Sequence, residues 1–355
     1  MPTHDAALDP AIATLPGLDV LLGPAALDVL AAAHRSRELE LRDLRVSQVN
    51  LRPGKRAIVQ YRVIESHDGN DTIATYVAAM GLTLPHETAI VEGRGHAIGV
   101  WRYPHDPLLP GLERMSGSAN AGKILGQIGF DVTSVRVRHR SYRPTRRAVL
   151  ELSSGRSKVF AKIVAPRRAD RIRSIHAMLS PAVPVPVVRG WSQEFGIVVL
   201  DAVDGLTLRQ ALAVGDRVPD PSAITAMLAE LGPVRLEGRR VPRATSRARE
   251  HLEFLGAIAP SLGQLLDALQ RAFGSADPHS ARTQTVHGDL HASQLLTIGH
   301  DLTGMIDVDR AGPGESITDP ANLLAHLATL AIAESEPHAY TRYLTALYNA
   351  VSYTH

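Results

Sequence analysis

The stretch from Thr285 to Leu327 gathers residues that handle phosphate and metal. It reads His287-Gly288-Asp289-Leu290-His291, then Gln294, then Ile306-Asp307-Val308-Asp309, then Asp319-Pro320. Far upstream, Lys162 interrupts the apolar run Phe160-Ala161-Lys162-Ile163-Val164. An ammonium in such a run is costly unless it meets an anion or faces water. Phosphoryl transfer demands this inventory. Magnesium takes hard oxygen ligands, usually one or two carboxylates beside phosphate oxygens. A carboxylate aims the attacking hydroxyl and accepts its proton, and a lysine holds the phosphates. Asp289, Gln294, Asp307 and Lys162 match those needs. Taken singly, each has a plainer reading: Gly-Asp is common in turns, Asp307 can cap a turn, and Lys162 can face water from an edge strand. His287 and His291 lack a further partner at metal spacing, which argues against zinc. Asp309 and Asp319 read as structural.

The elements that must position these residues follow from periodicity and turn signals. Thr285-Val286 and Leu295–Ile298 read as strands, as does 303–306, so Gln294 and Asp307 come near one end of a hairpin beside the loop carrying Asp289. Residues 18–35 read as one amphipathic helix. Val46 to Tyr61 reads as strand, turn (Arg52-Pro53-Gly54) and strand, followed by strands at Thr72–Ala78 and 97–104. A similar pattern returns after residue 120. Arg143-Pro144-Thr145-Arg146-Arg147-Ala148-Val149 answers Arg52-Pro53-Gly54-Lys55-Arg56-Ala57-Ile58, and each precedes a turn and a strand. This is an internal repeat, with Tyr76 at the position matching Lys162. Helical patterns follow at Ala169–Leu179, Leu208–Val214, Ser222–Leu231, Ser246–Ala257 and Leu262–Phe273. The expectation is an α+β chain: an accessory unit over 1–118, a β-rich lobe over 119–204, and a helical lobe over 205–355, with the ligand cleft at the lobe junction.

The set His287-Gly288-Asp289-Leu290-His291-x-x-Gln294 with Ile306-Asp307-Val308-Asp309 resembles the catalytic loop and metal-binding strand of the aminoglycoside phosphotransferase and choline kinase superfamily. The resemblance covers roughly residues 130–345. It implies a two-lobed protein-kinase-like fold, before which the internal repeat sets an accessory α+β unit resembling a duplicated N-lobe. It further implies use of ATP and Mg2+, Asp289 as catalytic base, Asp307 and Gln294 on magnesium, and Lys162 on the ATP phosphates. Val199-Leu200-Asp201-Ala202-Val203 resembles the inter-lobe hinge, which assigns Leu200, Asp201 and Val203 to the adenine. Asp319 resembles the aspartate that steadies the catalytic loop. Three features depart from the common pattern. Gln294 stands where most members have Asn, as in maltokinase-like and glucosamine-kinase-like members. The helix after Lys162 offers Asp170 in place of a glutamate. The first turn lacks a glycine-rich loop, leaving Ser141, Arg143 and Thr145 as the candidates to grip phosphate.

Composition narrows the rest. The chain has 355 residues, 45% of them hydrophobic and none cysteine, so it has neither disulfides nor thiolate chemistry. It shows no secretory signal and no apolar run of about 18 residues. A cytoplasmic protein with no membrane role is expected. Net charge is only +2, so no general nucleic-acid affinity follows. Basic residues nevertheless cluster from Arg143 to Arg173 and from Arg239 to Arg249, either as solvated arginine or as a rim for an anion. The expected reaction is phosphorylation of a hydroxyl on a sugar, amino sugar or aminoglycoside-like molecule, with Asp309, Glu315, Glu334 and Glu336 as an attraction for a cationic acceptor. Two alternatives are a Ser/Thr kinase acting on a peptide with a partner protein at the short C-lobe, and a nucleotide-binding pseudokinase.

Overall fold

The computed structural model describes residues 17–33, 39–52, 55–93, 95–128, 130, 134–155, 157–274, 282–334 and 337–352. Pro53, Gly54 and Glu336, singled out above, lie outside these residues.

Pro24 lacks a backbone N–H and cannot continue a helix. The expected helix over 18–35 is accordingly two, α1 (Leu18–Leu22) and α2 (Ala25–Ala33), with Gly23 extended between them. Five strands follow: β1 (Glu40–Arg52), β2 (Arg56–His67), β3 (Asn70–Met80), β4 (Ala89–Gly93) and β5 (His96–Arg102). They form one antiparallel sheet in the order β1-β2-β3-β5-β4. The pattern then repeats. Helices α3 (Gly111–Ser116) and α4 (Ser118–Gln127) precede β6 (Arg136–Arg143), β7 (Arg147–Ser154), β8 (Ser157–Val164), β9 (Val188–Ser192) and β10 (Ile197–Asp201), in the order β6-β7-β8-β10-β9. The second copy differs by one insertion: α5 (Pro166–Leu179) crosses between β8 and β9, where the first copy has only residues 81–88.

Register corrects one reading of the repeat. Val149 pairs with Lys162 in the second sheet, and Ile58 pairs with Ala79 in the first. Val149 and Ile58 occupy matching places after the shared Arg-Ala. The counterpart of Lys162 is therefore Ala79, not Tyr76. The apolar pattern placed the end of β3 too early, whereas hairpin pairing fixes which residues are opposite.

One face of the first sheet packs on α1 and α2 through Leu18, Leu21, Leu30, Tyr61 and Tyr76. Its other face, through Ile58, Val77, Ala79 and Trp101, meets Tyr142 of β6. The second sheet packs on α3 and α4, so Leu109, Leu112 and Met115 belong to its core. The remainder is mainly helical: α6 (Leu208–Ala213), α7 (Pro221–Leu231), α8 (Ala244–Ile258), α9 (Gly263–Gly274), α10 (Thr318–Ala333) and α11 (Pro337–Ser352). Short strands are threaded among them: β11 (Leu206–Thr207), β12 (Thr283–Val286), β13 (Leu295–Ile298), β14 (Asp301–Met305) and β15 (Gly312–Glu315). The third core gathers Leu212, Ile224, Leu290, Leu295, Leu323 and Tyr340. Among the described residues, no helix is long and apolar enough to cross a membrane.

Candidate functional site

Strand alternation aims Lys162. Its neighbours Ala161 and Ile163 enter the core with α3 and α4, so Lys162 points to the opposite face. There it is 6% exposed, and its Nζ donates to Asp309 Oδ1 at 2.7 Å and Asp307 Oδ1 at 3.0 Å. Arg147, the first residue of β7, donates from Nη1 to both Asp307 oxygens at 2.9 and 2.8 Å. Burial would lower the Lys162 ammonium, but the Asp309 and Asp307 carboxylates outweigh it and the group is held above its ordinary value. Burial would likewise raise Asp307, yet Lys162 and Arg147 hold it well below the usual carboxylate range. Both groups are charged and pinned.

The β13–β14 hairpin delivers Asp307 to this place. Ile306 N donates to Gln294 O at 2.9 Å, closing the open end of the hairpin. Asp307 then adopts a left-handed backbone (φ 61, ψ 38), which Asp tolerates better than bulkier residues. The turn carries Val308 inward and Asp309 back toward Lys162.

The loop after β12 presents Asp289. Asp319, near the start of α10, accepts from His287 N at 2.6 Å and Gly288 N at 2.8 Å. It is 2% exposed, and burial pushes its carboxyl up against the opposing His287 and backbone N–H groups. Gly288 has φ +82, and a Cβ there would lie 2.9 Å from Arg310 O, so glycine is needed at this position. Asp289 projects beyond it with its side chain 36% exposed, 3.1 Å from Arg310 Nη1 and 4.0 Å from Arg247 Nη1. Arg247 Nη2 also donates to Gly288 O at 2.5 Å.

Asp289, Asp307 and Asp309 share one narrow cleft with Arg143, Arg146, Arg147, Arg168 and Arg310. Arg146 is half-buried, and burial, followed by the charges of Arg310, Arg56, Arg143 and Arg168, depresses its pKa. Like charges crowded in this way make a site for an anion.

The other expected residues are distributed differently. Gln294 is buried, and its Oε1 accepts from His291 N at 3.2 Å in a capping box, so its amide oxygen is turned to the loop backbone. Arg143 lines the cleft, but Ser141 and Thr145 do not. Thr145, at φ +64, donates its backbone N–H to Asp106 Oδ2 at 2.7 Å. Leu200 is buried beside α5, Asp201 pairs with Arg189 at 2.6 Å, and Val203 packs over Gly304. None of these three lines the cleft. Asp170 pairs with Arg173 on its own helix, so Asp307 and Asp309 are the carboxylates that meet Lys162. Of the expected acidic attraction, the described members are each paired: Asp309 with Lys162, Glu315 with Arg243 and Glu334 with Arg209.

Sequence reading saw Arg147 and Arg247 only as members of the two basic clusters, missed Arg310 and took Asp309 for a structural residue. The shared Arg-Ala opening of β2 and β7 also marked Arg147, while Arg247 carried no mark beyond its cluster. A divalent cation fits the donor set. Asp307 supplies carboxylate oxygens, and Asp309 Oδ2 is buried without a hydrogen-bond partner. Among the described residues, no three His, Cys, Asp or Glu side chains form a cage. Magnesium does not need one, because phosphate and water complete its shell.

The model of the phosphotransferase enzyme family matches residues 129–351. No curated protein matches the chain. Solved structures similar to it include a macrolide 2'-phosphotransferase from Brachybacterium faecium, at 16% identity and TM-score 0.44, covering 65% of this chain and 82% of that one. An aminoglycoside phosphotransferase from Streptomyces rimosus is similar at 20% identity and TM-score 0.44, covering 64% and 90%. A GDP complex of aminoglycoside 2'-phosphotransferase-IIIa stands at 19% identity and TM-score 0.45, covering 64% and 87%.

Proposed function

The chain belongs to the phosphotransferase enzyme family, and from that membership we propose that it transfers the γ-phosphoryl group of ATP to a hydroxyl of a small polar molecule. The observation that carries this reading is the shared cleft, in which Asp289 faces the same space as the Lys162–Asp307–Asp309 cluster and the unpaired arginines. The acceptor hydroxyl oxygen bonds to the γ-phosphorus as the bond from that phosphorus to the β–γ bridging oxygen breaks. Asp289 orients the hydroxyl and takes its proton, and ADP leaves with the bridging oxygen. Arg143, Arg146 and Arg168 offset the phosphate charge, supplying by side chain what a glycine-rich loop supplies by backbone N–H groups. Lys162 holds the α- and β-phosphates from beneath the second sheet. Magnesium, when bound, neutralises phosphate oxygens; Asp307 and the open oxygen of Asp309 would hold it, with Gln294 a further candidate oxygen donor. Leu200, Asp201 and Val203 border the adenine in this reading, and Ser141 and Thr145 shape the turn over the phosphates.

The test follows label from radioactive ATP into hydroxyl acceptors. Asp289→Ala is expected to lower kcat by about 10²–10⁴-fold, the usual worth of a positioned base, while nucleotide binding measured by calorimetry persists. Transfer at the wild-type rate in that variant would sink the assignment.

A further inference from the structure

The acceptor side of the cleft is built for negative charge. This inference rests on the phosphotransferase reading and adds to it a substrate class. For in-line transfer, nucleotide and acceptor lie on opposite sides of the γ-phosphoryl group. The nucleotide side is the second sheet with Lys162, Arg143, Arg146 and Arg147. The acceptor side is whatever flanks Asp289 from the helical lobe. Two cations do so. Arg310 follows the Asp307 turn and reaches Asp289 Oδ1 at 3.1 Å. Arg247, in the first turn of α8, stands 4.0 Å from the same oxygen and is anchored by its bond to Gly288 O at 2.5 Å. Arg310 lines the cleft with its side chain 48% exposed, and Arg247, 21% exposed, borders the cleft behind Asp289 and Gly288.

The charge balance points the same way. Magnesium and ATP together carry about two negative charges. The arginines that line the cleft, joined by Lys162 and Arg247, outnumber the three aspartates by more than that complex can offset. Two of the carboxylates expected to serve a cationic acceptor are committed elsewhere, Glu315 to Arg243 and Glu334 to Arg209. A protonated amine brought to Asp289 would have to pass two guanidinium groups, against like-charge repulsion.

We propose that the phosphate acceptor is a small hydroxyl compound that carries its own anionic group, a carboxylate or a phosphate. Arg247 and Arg310 clasp that group while Asp289 takes the proton of the hydroxyl. Arginine suits this task because its planar fork matches both anions bidentately.

The experiment compares acceptors matched in shape and different in charge: glucose, glucosamine, glucuronate and glucose 6-phosphate, with kanamycin as a polycation. Turnover is followed by label transfer from ATP. Binding is followed by thermal shift of the full-length protein loaded with magnesium and a non-hydrolysable ATP analogue. The anionic members are expected to give the higher kcat/KM and the larger shift, with both effects shrinking as salt rises. Arg247→Met is expected to raise the acceptor KM by about 10–100-fold, the worth of one charged hydrogen bond, with a smaller change in the KM for ATP. Equal or better turnover of glucosamine or kanamycin would overturn the anionic class while leaving the phosphotransferase reading intact. The class fails as well if no anionic member shifts the nucleotide-loaded protein. Failure of the protein to bind nucleotide would instead strike the reading beneath it.

Discussion

Lys162 and Asp309 are worth more to each other than either is to the fold. The side chains are 8% and 4% exposed, so each has given up nearly all its hydration. The remaining Asp309 oxygen already lacks a hydrogen-bond donor. Lys162→Met removes the cation and leaves a buried carboxylate alone, which costs about 3–5 kcal/mol in comparable pairs. Equilibrium denaturation should show that loss. Adding Asp309→Asn should recover a substantial part, because the uncompensated charge is gone and neighbouring groups couple. If the double variant were no more stable than Lys162→Met, the pair would have no coupling and the ionic account of this cluster would be wrong. A direct role for Lys162 on the phosphates requires that the cluster be held together before nucleotide arrives. Arg147 does so independently by donating from Nη1 to both oxygens of Asp307, which keeps the metal-side carboxylate in place when Lys162 turns to phosphate.

At the scale of elements, α5 is tied by a buried histidine to the connection that leads into β9. His176 is 1% exposed, its Nδ1 lies 2.8 Å from Pro186 O, and its Nε2 is buried without a partner. A carbonyl accepts only, so Nδ1 carries a hydrogen, and the buried Nε2 has no partner to reward a second one. Burial lowers its pKa, against the raising effect of the Pro186 bond. The sign follows from linkage. The unfolded chain takes up a proton near pH ~6.5, while the folded protein resists, so acidification through that range favours unfolding. The wild type is therefore expected to lose more stability between about pH 7.5 and pH 5.5 than His176→Gln, by up to roughly 1.4 kcal/mol per pH unit below the unfolded pKa. Parallel melting curves for the two proteins across the range would refute this. Much at this scale was legible. The hairpins, the repeat and the helices from α5 to α9 follow from turn residues and periodicity. Asp289 and Asp307 were legible because their motif is short and local. What sequence did not yield depends on pairing across distance: the ion pairs of Lys162 span about 145 residues, Arg247 reaches the loop from another helix, and the Ala79 equivalence needed hairpin register. Gln294 was read for its donor type, but its side chain found a nearer partner in the backbone of His291.

Over the whole molecule, the first sheet is joined to the cleft by a chain of hydrogen bonds. Trp101 of β5 donates from Nε1 to Tyr142 Oη at 3.0 Å, Tyr142 donates to Asp106 Oδ2 at 2.8 Å, and Asp106 receives Thr145 N at 2.7 Å. Thr145 is the left-handed centre of the turn between β6 and β7, and that turn carries Arg143, Arg146 and Arg147 into the cleft. Asp106 sits in the connection between the two sheets and is 3% exposed. The duplicated sheet thus lacks a lysine at the matching position, where Ala79 stands, yet it bears on the site through the turn that the second sheet cannot hold alone. A non-glycine residue in the left-handed region costs of order 1–3 kcal/mol and persists only when its surroundings impose it. Removing the acceptor that imposes it should release the turn. Asp106→Ala is therefore expected to weaken nucleotide binding by about tenfold or more, one hydrogen bond with a charged partner being worth roughly 1.5–3 kcal/mol. The kcat at saturating nucleotide should move less, because Asp289 lies in the other lobe and Lys162 still holds Asp307. Trp101→Phe keeps the apolar contact and cuts only the first link, so it should give a smaller effect of the same sign. Calorimetric titration with nucleotide on folded, full-length variants measures both. Wild-type affinity in Asp106→Ala would mean that the first sheet only props the second, with no hold on the phosphate turn.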